Sequence, residues 1–291
     1  MPVIPEFMID CENMNTDFPY NLAIHKRRTS VSLHRHNFVE FSYTIKGRGL
    51  EIINGKCHEM LPGTFTFLLP YQVHEIQVNE GEEVEFYNCS MTLESFFDTG
   101  ETGKLLNMLL FNEDDLPAHV RLPEGQSHIM DSLLKEMLHE FRSRTPWDKL
   151  LFRANLIKAL VLFDRNRRGI IAMPEGKSSM NSQIWKAVHY VHTHYHEDIG
   201  LKDLAERFHF SVSYLSAAFR QHIGINFKDF LHETRIRHAS SLLASTGMPV
   251  VDIAVEVGYK SYITFLRAFY DKHGVNPSDY RELKKQEHIA G

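Results

Sequence analysis

The sequence predicts a two-domain α+β chain, with a small antiparallel β-barrel and a helical hairpin first and an all-α pair of helix-turn-helix units after it. Three observations predict it. Short β-branched and aromatic runs between Leu33 and Met91 are broken by turn residues at close spacing. From Gln126 the apolar period becomes helical. Beyond Asn181 the chain carries an internal repeat at a spacing of about 50 residues. The predicted boundaries are 1–165 for the first domain, 166–181 for a linker and 182–291 for the second. A chain of 291 residues that is 43% hydrophobic has enough apolar material for two cores.

In the first domain, Asn54-Gly55 stands between Leu50-Glu51-Ile52-Ile53 and Lys56-Cys57-His58. Both central residues tolerate positive φ, so this is a type I′ hairpin turn. Pro62-Gly63 and Pro70 bracket Thr64 to Leu69, a run too hydrophobic to face water on both sides. A closed or sandwiched barrel would hide it. Next, Ile129, Met130, Leu133, Leu134, Met137, Leu138 and Phe141 form one apolar stripe on a helix. A second helix is expected from Pro146 to Asp164, with apolar positions from Leu150 to Phe163 over more circumference than one small barrel would cover. It is either a fully buried core helix or a dimerisation face. Asn166 to Ser182 mixes Pro174, Gly176 and serines without a period, which reads as the linker.

The net charge of −5 excludes wholesale coating by nucleic acid. The acidic excess lies in the first 180 residues, so the near-neutral C-terminal half is the better partner for a polyanion. The longest apolar run, Leu156 to Phe163, is interrupted by Lys158 and is far shorter than the roughly 20 residues of a membrane span. The first dozen residues lack a leader pattern, so a cytoplasmic protein is expected. Cys11, Cys57 and Cys89 form no CxxC pair and are expected to stay reduced.

The repeat aligns Ser211, Leu215, Phe219, Gly224 and Asn226 with Ser261, Phe265, Phe269, Gly274 and Asn276. Leu204-Ala205 and Phe210 recur as Ile253-Ala254 and Tyr259, one residue closer, so the second turn is one residue longer. Each copy holds a short helix with a small Ala, a turn, a capping Ser and a second helix anchored by an apolar pair four residues apart. That is helix-turn-helix. Phe227 to Ala244 is periodic enough to be one helix between the units. The outer face of each second helix then fits the major groove, about 12 Å wide.

From Gln183 to Leu283 the chain resembles the DNA-binding domain of the AraC/XylS family of regulators. The match runs through Ile253-Ala254, Val257-Gly258-Tyr259, Phe265, Arg267, Phe269 and Gly274-Val275-Asn276-Pro277-Ser278-Asp279-Tyr280-Arg281. The resemblance implies seven helices, two recognition helices and double-stranded promoter or operator DNA as partner, with RNA polymerase as the further partner of an activator. In the first recognition helix Ser213, Ser216 and Ala217 are small where family members often carry longer side chains, so direct readout there is expected to be sparse, with Arg220 reaching phosphate. In the second, Lys260, Ser261, Tyr262, Ile263 and Arg267 are the expected contacts, with Arg267 the candidate for a bidentate bond to guanine. Tyr270 replaces a family Lys.

In the first domain, His34, His36 and Glu40, followed by Gly47, Pro70 and His74, resemble the cupin metal motif over residues 20 to 90 and are similar to the sensor barrels fused to AraC/XylS regulators. Positions 34, 36, 38 and 40 share parity, so on one strand both imidazoles and Glu40 would project to one face. The resemblance implies a small-molecule effector, by default a sugar or related polyhydroxylated compound, bound by His34, His36, Glu40 and His74. A divalent transition metal in the barrel is the alternative, with no cofactor otherwise expected. Catalysis is the remote rival: Tyr71-Gln72-Val73 departs from the enzyme form, and an enzyme needs no paired helix-turn-helix. A regulator of this kind is expected to act as a homodimer, away from any membrane.

Overall fold

The computed structural model describes residues 5–8, 16, 18–70, 72–92, 105, 109, 116–143, 145–169, 182–223 and 225–290. Cys11, Tyr71 and Gly224, and the linker from 170 to 181, lie outside the described residues.

The strands are β1 Glu6–Met8, β2 Tyr20–Arg27, β3 Val31–His36, β4 Val39–Gly47, β5 Gly49–Ile53, β6 Lys56–Met60, β7 Thr64–Leu68, β8 His74–Gln77, β9 Val84–Met91 and β10 His119–Arg121. They form two five-stranded sheets, ordered β1-β3-β8-β5-β6 and β10-β7-β4-β9-β2. All pairings are antiparallel except β1 with β3. The Asn54-Gly55 hairpin is confirmed, with φ of 48° and 78° at the two turn residues. β7 is buried along its whole length, as its composition requires.

Two helices follow, α1 Glu124–Ser143 and α2 Asp148–Arg168. The second runs past the expected end, so residues 166–168 belong to a helix and not to the linker. Parity on the β4 sheet separates two environments. Tyr20, Phe41, Phe65 and Phe67 face the hairpin, where Phe163 stacks on Phe65 at 4.9 Å and Phe152 packs on Tyr20 at 4.8 Å. Alternate residues Glu40, Ser42, Thr44, Thr66 and Ser90 are buried on the opposite face, toward the other sheet. The apolar core therefore lies between one sheet and the helices, and the space between the sheets is polar. A small apolar cluster of Met60, Ile76, Val84 and Phe86 closes the far end.

The second domain contains α3 Ser182–His194, α4 Leu201–Arg207, α5 Val212–Ala218 with a π turn at Phe219–Ile223, α6 Phe227–Ser245, α7 Val250–Glu256, α8 Tyr262–His273 and α9 Pro277–Ala290. These are the seven helices expected, and α6 is the continuous spacer. The repeat is visible in backbone bonds: Phe210 N–H reaches the Ala205 carbonyl at 2.8 Å, and Tyr259 N–H reaches that of Ala254 at 2.9 Å. His209 and Gly258 occupy the matching turn position with φ of 57° and 87°. Ser211 and Ser261 cap α5 and α8 by accepting from Tyr214 and Thr264 N–H. Gly274 ends α8 in the left-handed conformation.

Among the described residues, the domains meet at Arg35 and at the Asn54-Gly55 turn. Arg35 of β3, 5% exposed, donates to the Tyr195 hydroxyl and pairs with Glu256 of α7. Gly55 lies so near Ala244 that an added Cβ would stand 2.9 Å from its carbonyl oxygen. Tyr195 is fixed from the helical side as well, its carbonyl accepting from Arg235 at 2.7 Å and its ring stacked on His238.

Candidate functional site

The barrel cluster is built where the two sheets meet. The sequence expectation of a single strand carrying His34, His36 and Glu40 is corrected: His34 and His36 end β3 in one sheet, the chain turns at Asn37-Phe38, and Glu40 lies on β4 in the other. Parity along one strand cannot bring them together, but the corner does. His36 Nε2 stands 3.8 Å from a Glu40 carboxylate oxygen. His74 joins because β8 pairs with β3 in a register that puts it opposite His34, the rings 4.1 Å apart, with His36 at 5.2 Å. All four expected residues are thus assembled, His34 at the half-exposed rim and His36 and His74 fully buried.

Sequence reasoning missed Glu51, 1% exposed on β5, with a carboxylate oxygen 3.9 Å from His74 Nδ1. Its signal was a carboxylate inside the apolar run Leu50 to Ile53. Asn88, Ser42 and Thr66 were missed too: Glu40 bonds to Asn88, and Glu51 to Thr66 and Ser42.

Ring orientations follow from neighbouring carbonyls. His36 Nδ1 is 2.7 Å from the Phe38 carbonyl and must donate to it, so Nε2 carries the lone pair toward Glu40. The Phe38 ring stacks on His36 at 4.1 Å and holds the orientation. His34 Nδ1 meets the Ser32 carbonyl at 2.8 Å in the same way. Burial holds His36 down at about 3 and drives His74 well below the usual imidazole range. It pushes Glu40 up to about 8 against the Asn88 bond, and Glu51 up to about 7 against those from Thr66 and Ser42. Burial thus favours the uncharged forms of all four groups.

His36 Nε2, both ring nitrogens of His74 and one Glu51 oxygen are buried without a hydrogen-bond partner. Orphaned groups in a dry interior are costly, so the cluster is suited to a ligand that completes them. His36, Glu40 and His74 each offer a donor atom, all within 4.8 Å of one another. Two neutral imidazoles and a carboxylate are a competent donor set for a divalent transition ion.

The second candidate surface is on α5 and α8. Leu215 and Phe219 in one unit, and Phe265 and Phe269 in the other, are fully buried and fix each helix on its partner. Outward stand Ser213, Ala217 and Arg220, with Ser216 half-buried, and Lys260, Ser261, Tyr262, Ile263 and Arg267. Ile263 is 72% exposed, which no folding requirement explains. Arg220 falls in the π turn, not on the regular helix expected to carry it. Lys260 is paired with Asp198 at 2.6 Å, both well exposed. Arg281 has a structural duty, donating to the carbonyls of Leu243 and Met248 and tying α9 to the loop after α6.

A polar sensor-type barrel joined to paired helix-turn-helix units defines the two-domain class of ligand-binding regulators. Residues 20–152 match a family model described as an AraC-like ligand binding domain, and residues 204–283 match a helix-turn-helix domain model. The chain belongs to the AraC family. Among its relatives, the uncharacterized HTH-type transcriptional regulator YtdP of Bacillus subtilis is 35% identical over 98 residues, 34% of this chain and 13% of that protein. An uncharacterized HTH-type transcriptional regulator of Staphylococcus aureus is 38% identical over 92 residues, 32% of this chain and 12% of its own length. This chain's match therefore spans about an eighth of either relative. The C-terminal domain of AraT, a response regulator from Geobacillus stearothermophilus, is 35% identical with a TM-score of 0.34, covering 35% of this chain and 84% of that one.

Proposed function

We propose that this chain is a sequence-specific DNA-binding transcription regulator whose barrel binds a small-molecule effector and modulates DNA binding, without catalysis of its own. The carrying observation is the duplicated helix-turn-helix, with buried apolar anchors inside and exposed side chains on the outer faces of α5 and α8. The test is selection from random duplex DNA with the full chain, repeated with a panel of sugars. The expected result is an enriched site with two major-groove segments about one turn, roughly 34 Å, apart. Enrichment of no sequence would overturn the reading.

The effector is read as a polyhydroxylated compound because the space between the sheets is lined by Ser42, Thr66, Ser90, Glu40 and Glu51, groups that pair with hydroxyls. A divalent ion is the second reading, favoured by the three donors within 4.8 Å, and no pocket for a sugar ring is needed for it. Elemental analysis of protein purified without added metal, with thermal shifts against sugars and against Zn, Ni, Mn and Fe ions, separates the two. If neither class shifts the melting temperature and His36→Ala leaves regulation intact, the cluster is structural.

A second copy is the proposed partner, through the exposed side of α2. Trp147, Leu150 and Leu151 are 75%, 62% and 48% exposed, and Ile157 and Val161 continue the stripe half-buried. Leu156 and Leu160 lie in the chain's own core, so the informative variant is Leu151→Glu. A wild-type chain sedimenting as a monomer at micromolar concentration would refute the dimer. RNA polymerase is the further partner for an activator of this design.

A further inference from the structure

A further pair of imidazoles meets across the two sheets of the first domain. β6 is the edge strand of one sheet and β10 the edge strand of the other, and they bring His58 and His119 together with ring centroids 3.9 Å apart. A carboxylate belongs to the same corner. His58 stands opposite Glu51 in the β5–β6 register, and His119 stands opposite Thr66 in the β10–β7 register. Glu51 bonds to Thr66 across the gap, so the sheets are bridged twice by one frame of four residues. Directly opposed residues of an antiparallel pair share a face, so both imidazoles lie on the faces that carry Glu51 and Thr66. His119 Nδ1 and Glu51 Oε2 are each buried without a hydrogen-bond partner. The strand order β8-β5-β6 puts Glu51 between His74 and His58, with Oε1 3.9 Å from His74 Nδ1 and Oε2 left over.

We propose that His58 and His119 form a divalent transition-metal site separate from the His36 cluster, with Glu51 as its adjacent carboxylate, bound directly or through a water. Imidazole nitrogens suit ions such as Zn, Ni or Cu, whereas Mg and Ca prefer an all-oxygen shell. With metal–nitrogen bonds of about 2.1 Å, two imidazoles on one ion have centroids roughly 4.5–5 Å apart, so the stacked rings need to open by about 1 Å. The strands allow it, since β6 and β10 are each bonded to a strand on one side only. Burial first, then the His119 ring and Lys56, hold His58 down at about 4, and burial lowers His119 as well. Both therefore offer neutral nitrogens at ordinary pH, as metal binding requires. Lys56 is exposed, so its repulsion of an ion is screened by solvent. His58 also lines a cleft of about 470 Å³, which gives an ion a path to the pair.

The test is equilibrium dialysis of the chelator-treated full chain against Zn or Mg ions, read by elemental analysis, with His58→Gln, His119→Gln and His36→Ala alongside. The wild-type chain is expected to retain Zn and not Mg. His58→Gln and His119→Gln are each expected to weaken one Zn equivalent at least tenfold, whereas His36→Ala keeps it. His58→Cys, which retains a donor, is expected to keep it too. Both histidines are half-buried on edge strands, and an unchanged melting temperature without metal reports the fold of each variant. Where one glutamine variant fails to fold, the other carries the comparison with His58→Cys. A wild-type chain that holds no Zn would overturn the site, and so would Zn content unchanged in the folded glutamine variants. Loss in His36→Ala alone would assign the ion to the effector cluster and overturn the separate site.

Discussion

The two helix-turn-helix units share one plan and differ in its details. In the first unit the turn residue is His209, held at φ 57°, and in the second it is Gly258 at φ 87°. The first recognition helix is seven residues long and widens into a π turn, whereas the second runs regularly for twelve residues to a glycine cap. Small side chains, Ser213 and Ala217, face outward from the first, while Tyr262, Ile263 and Arg267 face outward from the second. Duplication has kept the packing rules and released the surface. On the proposed reading the second unit contacts bases and the first the backbone.

The largest effect is expected at the turns. A Cβ at position 258 would stand 2.5 Å from the His196 carbonyl oxygen and 2.7 Å from its Cα, with a backbone angle that disfavours any side chain. Gly258→Ala should cost about 3 kcal/mol or more, read by chemical denaturation. His209→Gly relieves a left-handed residue but adds unfolded-state entropy, so its net change should stay within about 1 kcal/mol. Equal costs at both positions would erase this distinction between the units.

Next come the outward arginines. Arg267→Ala should cost about 1–3 kcal/mol of DNA affinity and relax preference at one base pair. Arg220→Ala should weaken all sequences alike and reduce the salt slope by about 1. Capping is the smaller effect. Ser211→Ala and Ser261→Ala each remove an acceptor for one N–H and should cost about 1 kcal/mol of stability. Any additional loss of DNA affinity should fall on Ser261, whose helix holds the proposed base contacts.

The barrel offers a contrast in pH. Glu40 at about 8 and Glu51 at about 7 have folded values above the ordinary carboxyl value of 4.5, so their contribution to stability is full below that value and is lost as pH rises through the folded values. The imidazoles of His36 and His74, both held below the ordinary 6.5, add an opposing rise that fades as pH passes about 7.5, where they are neutral in either state. In chelator-treated protein, stability should fall by up to about 1.4 kcal/mol per pH unit for each carboxyl between pH 6.5 and 8. Glu40→Gln should flatten that fall, and a slope unchanged by the substitution would remove Glu40 from the account. In the helical domain buried His238, driven well below the usual imidazole range, gives the opposite sign, its contribution being lost as pH falls through the ordinary imidazole value.

The duplicated unit was legible because each feature is local: a capping Ser, a small Ala and aromatic anchors at helical spacing leave a trace in one sequence. The Asn54-Gly55 hairpin was legible for the same reason, its φ values being a property of two residues. The barrel cluster was legible in its members and not in its geometry. Parity extended one strand through Asn37-Phe38, where tertiary packing turns the chain into the second sheet, and Glu51 joins only through the β5 to β8 pairing. Arg35 could not be foreseen, since its partners Tyr195 and Glu256 lie far along the chain. The π turn at Phe219 has no signal in composition.

The claim that one unit reads bases and the other holds phosphate is tested most directly by chemical interference on a selected site bound by the full chain. Ethylation of phosphates should interfere in both groove segments. Methylation of guanine N7 should interfere in the α8 segment alone, and that interference should vanish in Arg267→Ala, since the arginine would reach N7 and O6 of the same base. Methylation interference in both segments, or interference that survives the substitution, would contradict the account.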